Sequence, residues 1–272
     1  MYERHWNLKE KPFENTPDPR FFYLSSQHSE ALARMLYAVR EKKGAALFTG
    51  EYGSGKTLLS RVLWHELQQE DKYQPIFILN PRLKADEFVV EIVHQLGGEN
   101  SSREKIDLFH SLHKLLYHNY EMNRHTVIVI DEAQAIYDKE VFEELRLLLN
   151  FQLENTFLLT VILMGQPELR DMVVELPQLF QRLSVRYHLK ALDENETKEY
   201  IRHRLKVAGA GQDIFTDDAH REIYLHSQGI PRKINNLCDL ALLAGFSRNL
   251  NLIDQEIILK VHQDIKIEDT TL

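Results

Sequence analysis

A glycine-rich segment between an apolar run and an amphipathic stretch sets the strongest constraint on how this chain can fold. Residues 50–57 have the sequence GEYGSGKT and fit the pattern G-x-x-x-x-G-K-[ST]. Residues 45–49 form an apolar run of strand length, and residues 58–67 carry apolar side chains at helical spacing. Strand, glycine-rich turn and helix are the context in which this pattern binds phosphate. We therefore predict a phosphate-binding loop at residues 50–57.

Each residue type in this loop has a physical reason to be there. The glycines let backbone N–H groups turn inward into an anion-binding nest, and the phosphates then lie at the positive end of the following helix. Lys56 is predicted to reach the β- and γ-phosphates of a nucleotide, and the Thr57 hydroxyl to ligate Mg²⁺. The predicted nucleotide-binding residues are Gly50, Gly53, Ser54, Gly55, Lys56, Thr57 and Leu58.

A second segment, about 75 residues further on, ends in two carboxylates. Residues 126–130 have the apolar character of a strand buried on both faces, and Asp131 and Glu132 follow at its carboxyl end. Ligands bind at that end of the strands in open α/β sheets. We predict that Asp131 holds Mg²⁺ and that Glu132 polarises the attacking water. The pair favours ATPases with an extra strand between the two motif strands over kinase-like and GTPase-like folds.

Composition limits the other function classes. A net charge of −8 disfavours a protein that coats nucleic acid by charge alone. The one cysteine, Cys238, lies in an apolar helical run and is predicted to be a core residue, so no internal disulfide forms. No apolar run approaches the roughly 18 residues of a membrane span, and the first residues lack a signal-peptide core. We therefore expect a cytoplasmic protein in a reducing compartment.

Alternating strands and helices give way to helices alone along the chain. Apolar runs at 75–80, at 158–164 and within 179–189 complete a predicted set of five strands, and only helical patterns follow Asp193. This order predicts an α/β domain with a parallel sheet and a smaller all-α domain behind it. The predicted divisions are an N-terminal arm at 1–24, an α/β nucleotide-binding domain at 25–190 and an α-helical lid domain at 191–272.

Short sequence matches in a fixed order run along nearly the whole chain, at residues 12–13, 16–20, 22–24, 50–57, 131–134, 165–169, 181–183, 200–201, 203–205, 229–232 and 234–235. With these matches the chain resembles the AAA+ ATPases. More narrowly, it is similar to the general secretion pathway A-type ATPases and their relatives in pilus and exopolysaccharide loci, and the same core resembles transposition regulators and origin-recognition proteins. The resemblance implies a P-loop NTPase fold of the AAA+ type, with a five-stranded parallel sheet flanked by helices and a helical lid, and it implies ATP and Mg²⁺ as cofactors.

The resemblance implies further site residues at matching positions. Gln166, after the fourth predicted strand, falls where a polar sensor contacts the γ-phosphate or the water; a plain turn residue is the alternative. Arg232 matches a second sensor that reaches back to the nucleotide, with a solvated arginine as the alternative. Arg182 lies where these ATPases place an arginine finger for a neighbouring subunit, and Arg186 competes for that role. The predicted catalytic set is Lys56, Glu132, Gln166, Arg182 and Arg232.

Two further roles follow from the same resemblance. Asn80, the last residue of the second predicted strand, is expected to hydrogen-bond Glu132 and hold it inactive until a partner binds. Tyr23 or Phe13 is a candidate to stack near the adenine, and core packing is the alternative for both rings.

The chemistry and the resemblance together predict a Mg-ATP-dependent ATPase that is stimulated by homo-oligomerisation through a trans arginine. It would drive assembly or remodelling of an envelope system for secretion, pilus formation or polysaccharide export, and a protein partner would link it to the inner membrane. The alternative is a DNA-associated ATPase of the transposition-regulator or origin-recognition type, which the negative charge disfavours. A third possibility is a nucleotide-gated binding module that hardly hydrolyses ATP, and Glu132 and Arg182 count against it.

Overall fold

The computed structural model describes residues 1–98 and 104–270, which form two compact units. One unit contains His28–Tyr52 and Leu59–Leu189 and is built on a β-sheet. The other contains Met1–Gln27, Gly53–Leu58 and Lys190–Leu272 and is helical. Each unit has a hydrophobic core of its own.

The sheet of the first unit has five parallel strands, as the sequence predicts. In order across the sheet they run β2–β3–β4–β1–β5, and every neighbouring pair is parallel. Parallel neighbours cannot be joined by tight turns, so helices supply the crossovers. The strands are β1 (Ala45–Gly50), β2 (Tyr73–Ile78), β3 (His125–Ile130), β4 (Leu159–Gly165) and β5 (Leu183–Leu189).

Burial along each strand follows its place in the sheet. Every residue of β1, β3 and β4 is buried, because these strands occupy the middle and are covered on both faces. The edge strand β5 instead alternates, and its exposed side chains are Ser184, Arg186 and His188. The continuous apolar runs in the sequence therefore mark the central strands.

Helices before and between the strands pack against this sheet. Helix α3, for example, directs Phe88, Val89, Ile92 and Val93 into the core at helical spacing. The helices are α1 (Ser26–Arg40), α2 (Lys56–Gln68), α3 (Ala85–Gln95), α4 (Lys105–Glu121), α5 (Glu140–Leu148), α6 (Pro167–Val174) and α7 (Pro177–Phe180).

Four helices of the second unit follow the last strand. Side-chain caps fix where two of them begin: Asp193 accepts a hydrogen bond from the Glu196 N–H, and Thr216 accepts one from the Ala219 N–H. The buried Cys238 lies in their core, as predicted. The helices are α8 (Glu194–Val207), α9 (Asp217–Ser227), α10 (Pro231–Ser247) and α11 (Gln255–Thr270).

The first residues of the chain pack into this helical unit. The Trp6 indole Nε1 donates to the Leu242 carbonyl at 3.0 Å. The buried Arg204 guanidinium donates to the backbone carbonyls of Pro12 at 2.6 Å and Glu14 at 2.9 Å. Although this segment has little regular secondary structure, Arg204 of α8 satisfies two of its carbonyls and its rings lie in the helical core.

Candidate nucleotide site

The glycine-rich segment forms the turn between β1 and α2. β1 ends at the buried Gly50, and Gly53 and Gly55 have φ angles of 82° and 99°. Glycine enters this region without the steric penalty that a Cβ would bring. Helix α2 begins at Lys56, and the N–H groups of a first helical turn lack intrahelical acceptors. The backbone is therefore shaped to receive an anion at the start of α2.

The side chains of the turn fit the same ligand. Lys56 is only 6% exposed and Ser54 only 1% exposed. The buried Lys56 side chain and the N–H groups at the start of α2 are donors of the kind that match phosphate oxygens. Thr57 and Leu58 follow in α2 and are partly buried, and the Thr57 hydroxyl is a hard oxygen ligand of the kind Mg²⁺ prefers.

Asp131 and Glu132 follow β3 directly. Asp131 is 2% exposed, its N–H donates to the Ile78 carbonyl at 3.1 Å, and its Oδ1 accepts from the Glu132 N–H at 3.0 Å. Glu132 adopts the left-handed conformation, with φ 51° and ψ 36°. A non-glycine residue in this region costs free energy and is found at functional sites more often than elsewhere. Asp131 supplies a buried carboxylate suited to Mg²⁺, and Glu132 a partly buried one next to it.

The strand order brings the ends of β1 and β3 to one edge of the sheet. β4 pairs with β1 on one side and with β3 on the other, and all three are parallel. Gly50 and Ile130 therefore end strands two positions apart at the same carboxyl edge, a separation of about 10 Å at the usual strand spacing. This is the edge at which open α/β sheets bind ligands.

A residue without an assigned role in the sequence analysis, Gln134, contacts Glu132. Its Nε2 donates to Glu132 Oε2 at 2.5 Å, and its Oε1 accepts from the backbone N–H of Gln166 at 3.0 Å. Gln166 is the N-cap of α6, immediately after β4. The structure thus joins two of the predicted catalytic positions, Glu132 and Gln166, through Gln134. The contact between Gln134 and Glu132 depends on a 3₁₀ turn over Ala133–Ala135. The sequence signal for it is the position of Gln134 two residues after Glu132.

Asn80 has a different hydrogen bond from the one expected. Its Oδ1 accepts from the Arg82 N–H at 3.3 Å, within the loop that follows β2. The side chain that donates to the Glu132 carboxylate is that of Gln134. The expectation that Asn80 restrains Glu132 therefore gains no support from the contacts of either residue.

The two arginines that compete for the finger role lie in different surroundings. Arg182 precedes β5, is partly buried, and its Nη1 donates to the Arg146 carbonyl at 3.2 Å. Arg186 is exposed on the edge strand β5, and its guanidinium lies 4.4 Å from the centroid of the Phe180 ring.

Arg232 lies beside the glycine-rich segment within the helical unit. Its backbone N–H donates to the Gly53 carbonyl at 3.2 Å, and α10 begins one residue earlier at Pro231. A Cβ added to Gly53 would lie 2.6 Å from the Arg232 Cβ. Glycine at position 53 is therefore required both by its φ angle and by the approach of Arg232.

The rings considered for adenine stacking pack inside the helical unit. Phe13 is 2% exposed and meets Phe215 edge to face at 6.2 Å between centroids, and Tyr23 meets Tyr200 in the same way at 6.1 Å. These contacts favour the core-packing alternative for both.

Residues 1–98 and 104–270 contain no group of three His, Cys, Asp or Glu side chains arranged to hold a metal ion by themselves. In the same part of the chain, no helix has both the length and the apolar character needed to cross a bilayer.

Comparison with known proteins finds similarity both over a defined segment and over nearly the whole chain. Residues 39–173 match the family model of the AAA domain. General secretion pathway protein A of Aeromonas hydrophila is 39% identical over 271 residues, which are 98% of this chain and 48% of that protein. The chain thus spans about half the length of this relative.

Solved structures with the same fold include two AAA+ proteins. The ORC2 protein of Aeropyrum pernix superposes with a TM-score of 0.66 at 16% identity, covering 94% of this chain and 71% of that one. The RuvB branch migration motor of Thermotoga maritima superposes with a TM-score of 0.61 at 20% identity, covering 91% and 72%. Residues 39–173 of this chain therefore belong to the AAA domain family, and the superpositions show the same fold.

Proposed function

We propose that this chain binds Mg-ATP and hydrolyses it. The observation that carries the proposal is the buried Lys56 at the start of α2, directly after a turn with Gly53 and Gly55 at positive φ. The carboxylates of Asp131 and Glu132, which follow β3 at the carboxyl edge where β1 also ends, support it. The Aeropyrum ORC2 protein, which shares the fold, is described in ADPNP and ADP complexes.

Each residue has a defined task in this reaction. Lys56 and the backbone N–H groups of the loop hold the phosphates and stabilise the charge that develops on them. Thr57 and Asp131 would hold Mg²⁺, which when bound neutralises charge on the phosphate oxygens. Glu132 accepts a proton from water as the water oxygen bonds to the γ-phosphorus and the bond to the bridging oxygen of ADP breaks.

Three further residues are proposed to make the rate of hydrolysis depend on parts of the protein outside the glycine-rich loop. Gln166 is the proposed sensor at the end of β4, and Arg232, whose backbone bonds Gly53, is the proposed sensor on α10. Arg182 is the proposed finger that completes the site of a neighbouring copy in a homo-oligomer. The proposed domain roles are an N-terminal arm at 1–24, a nucleotide-binding domain at 25–190 and a helical lid at 191–272.

Two substitutions separate binding from hydrolysis. Lys56→Ala removes the buried cation, so we expect ATP affinity to fall by at least about 100-fold, as befits the loss of a charge-assisted contact to phosphate. Glu132→Gln keeps the shape of the site but removes the base, so we expect normal ATP binding and a kcat lower by about 10²–10⁴-fold. Calorimetry with Mg-ATP and phosphate release measure the two effects.

Lys139→Ala is the matched control for Lys56→Ala, because the Lys139 side chain is 81% exposed on the surface. It should bind and hydrolyse ATP as the wild type does. Hydrolysis at the wild-type rate by Glu132→Gln would contradict the role of Glu132, and undiminished ATP binding by Lys56→Ala would contradict the site itself.

We further propose that ATP turnover serves the assembly or remodelling of an envelope system, from the cytoplasmic side and through a protein partner at the inner membrane. The support is the 39% identity to general secretion pathway protein A along 98% of this chain. The DNA-associated function is the second candidate, and its support is the fold shared with origin-recognition proteins, two of which are described with bound DNA. ATPase assays with and without DNA separate the two: stimulation by DNA favours the second, and an unchanged rate favours the first.

A further inference from the structure

Gln134 occupies a fixed place between the ends of β3 and β4. Both polar atoms of its side-chain amide are engaged: Nε2 with Glu132 Oε2 at 2.5 Å and Oε1 with the Gln166 N–H at 3.0 Å. A backbone N–H can only donate, so the amide oxygen must face Gln166 and the NH₂ group must face Glu132. The orientation of the amide is therefore determined by its partners, and its donor is directed at the carboxylate.

This contact restrains a residue whose backbone is already constrained. Glu132 is in the left-handed conformation, and its N–H is bound by Asp131 Oδ1 at 3.0 Å. A hydrogen bond to an ionised acceptor is shorter and stronger than one between neutral groups. With the backbone fixed by Asp131 and the carboxylate fixed by Gln134, the Glu132 side chain has one preferred direction.

The Gln134 side chain has room because its neighbour Gly165 has no side chain. A Cβ added to Gly165, the last residue of β4, would lie 2.5 Å from Gln134 Oε1 and 2.8 Å from the Leu169 side chain. Glycine at the end of β4 thus lets Gln134 reach the N–H of Gln166. The end of β4 is therefore linked to the Glu132 carboxylate through Gln134.

We propose that Gln134 is a positioning residue that orients Glu132 for proton abstraction and couples it to the end of β4. The inference rests on the proposed function, because it takes Glu132 as the base of ATP hydrolysis. Gln134 itself touches neither water nor phosphate in this assignment. Its effect on the reaction passes through Glu132, and that dependence is what an experiment can test.

The first test compares Gln134→Leu, Glu132→Gln and the double variant. Gln134→Leu removes the donor while keeping similar bulk, so we expect kcat to fall about tenfold or more, as when a supporting contact of a catalytic group is lost, with the KM for ATP within about twofold of wild type. The double variant should be no slower than Glu132→Gln alone, because residues that act as a unit are non-additive. Gln68→Leu, at an exposed position near the end of α2, is the control and should keep wild-type kcat.

A second variant, Gln134→Glu, tests whether the fall in kcat comes from altered packing alone. Gln134→Glu keeps the length of the side chain and an acceptor for the Gln166 N–H, but it places a carboxylate where the donor to Glu132 was. We expect it to lose at least as much kcat as Gln134→Leu while the protein remains folded by circular dichroism. Wild-type kcat in either variant, or multiplied losses in the double variant, would overturn the inference.

A spectroscopic readout without nucleotide completes the test. The side-chain amide resonance of Gln134 is identified by its loss in Gln134→Leu, and we expect Glu132→Gln to shift it, because the acceptor loses its charge. An unmoved resonance would refute the contact. If Glu132→Gln itself hydrolyses ATP normally, the proposed function and this inference fail together. If Glu132→Gln is inactive but Gln134→Leu is not, the inference alone fails.

Discussion

At the residue scale, the backbone around Gly229 explains why glycine begins the motif at residues 229–232. Gln228 and Gly229 end α9 with φ angles of 54° and 71°. The Gly229 carbonyl accepts from the Leu192 N–H at 3.0 Å, and a Cβ on Gly229 would lie 1.8 Å from the Leu192 carbonyl oxygen. The left-handed turn and the close backbone approach both exclude a side chain. This residue joins the start of the helical unit to the turn before α10.

We therefore expect Gly229→Ala to destabilise the helical unit by about 2–5 kcal/mol, from the left-handed conformation together with the steric overlap. Urea unfolding followed by circular dichroism measures the change. Gly211→Ala is the matched control, because a Cβ at that position meets no atom within 4 Å. It should alter stability by no more than about 1 kcal/mol in either direction. Equal stability of the two variants would show that Leu192 can move aside at little cost.

At the element scale, the pairing of β3 with β4 buries a histidine. His125 begins β3, and its ring Nε2 shares a hydrogen bond of 2.8 Å with Thr160 Oγ1 in β4. Burial, with a smaller effect from the charge of Lys42, lowers the pKa of His125 to about 4. The folded state thus excludes a proton that the unfolded chain binds below about pH 6.5. The stability held by neutral His125 is present above that pH and is lost as the pH falls toward 4.

The consequence can be measured between pH 7 and pH 5. Over this interval the wild type should lose about 2 kcal/mol of stability through His125. The glutamine of His125→Gln can still hydrogen-bond Thr160 but does not titrate. The loss of stability of this variant between pH 7 and pH 5 should therefore be smaller than that of the wild type by about 2 kcal/mol. Urea unfolding at both pH values is the measurement, and His110→Gln, at an exposed position of α4, is the control. The same pH dependence in wild type and His125→Gln would contradict the proposed burial cost.

At the scale of the whole molecule, the proposed dependence of hydrolysis on assembly can be tested through Arg182 and Arg186. Arg182 is partly buried and held by the Arg146 carbonyl, whereas Arg186 is exposed against Phe180. An arginine finger acts only when a neighbouring copy presents it to the nucleotide. The activity per molecule of such an enzyme must rise with protein concentration.

We expect the specific ATPase activity of the wild type to rise with protein concentration. The activity of Arg182→Ala should not rise, so that at the highest concentration its kcat is lower than that of the wild type by about 10³-fold or more. ATP binding should be retained, because Arg182 would serve the neighbouring site. Arg186→Ala is the matched comparison and should behave as the wild type. The reverse pattern would assign the finger to Arg186, and a specific activity independent of concentration in the wild type would exclude a trans finger.

The sequence by itself determined the elements and the local chemistry of this protein. The turn at 50–57, the central strands and the helices after Asp193 are coded by residues close together in the chain, through spacing, glycine and helix caps. Periodicity does not code the exact end points, which lie at Leu148 for α5 and at Thr270 for α11. Such end points depend on capping contacts that periodicity does not reveal.

Only the tertiary structure decided how these pieces meet. Three features join residues that lie from 2 to more than 200 positions apart in the chain. They are the strand order, the hydrogen bonds from Glu132 through Gln134 to Gln166, and the packing of Trp6 against α10. The free energy of such contacts comes from burial and hydrogen bonding between segments whose sequences carry no shared pattern. Local spacing therefore predicts which residues can act, and the packing of distant segments decides which of them act together.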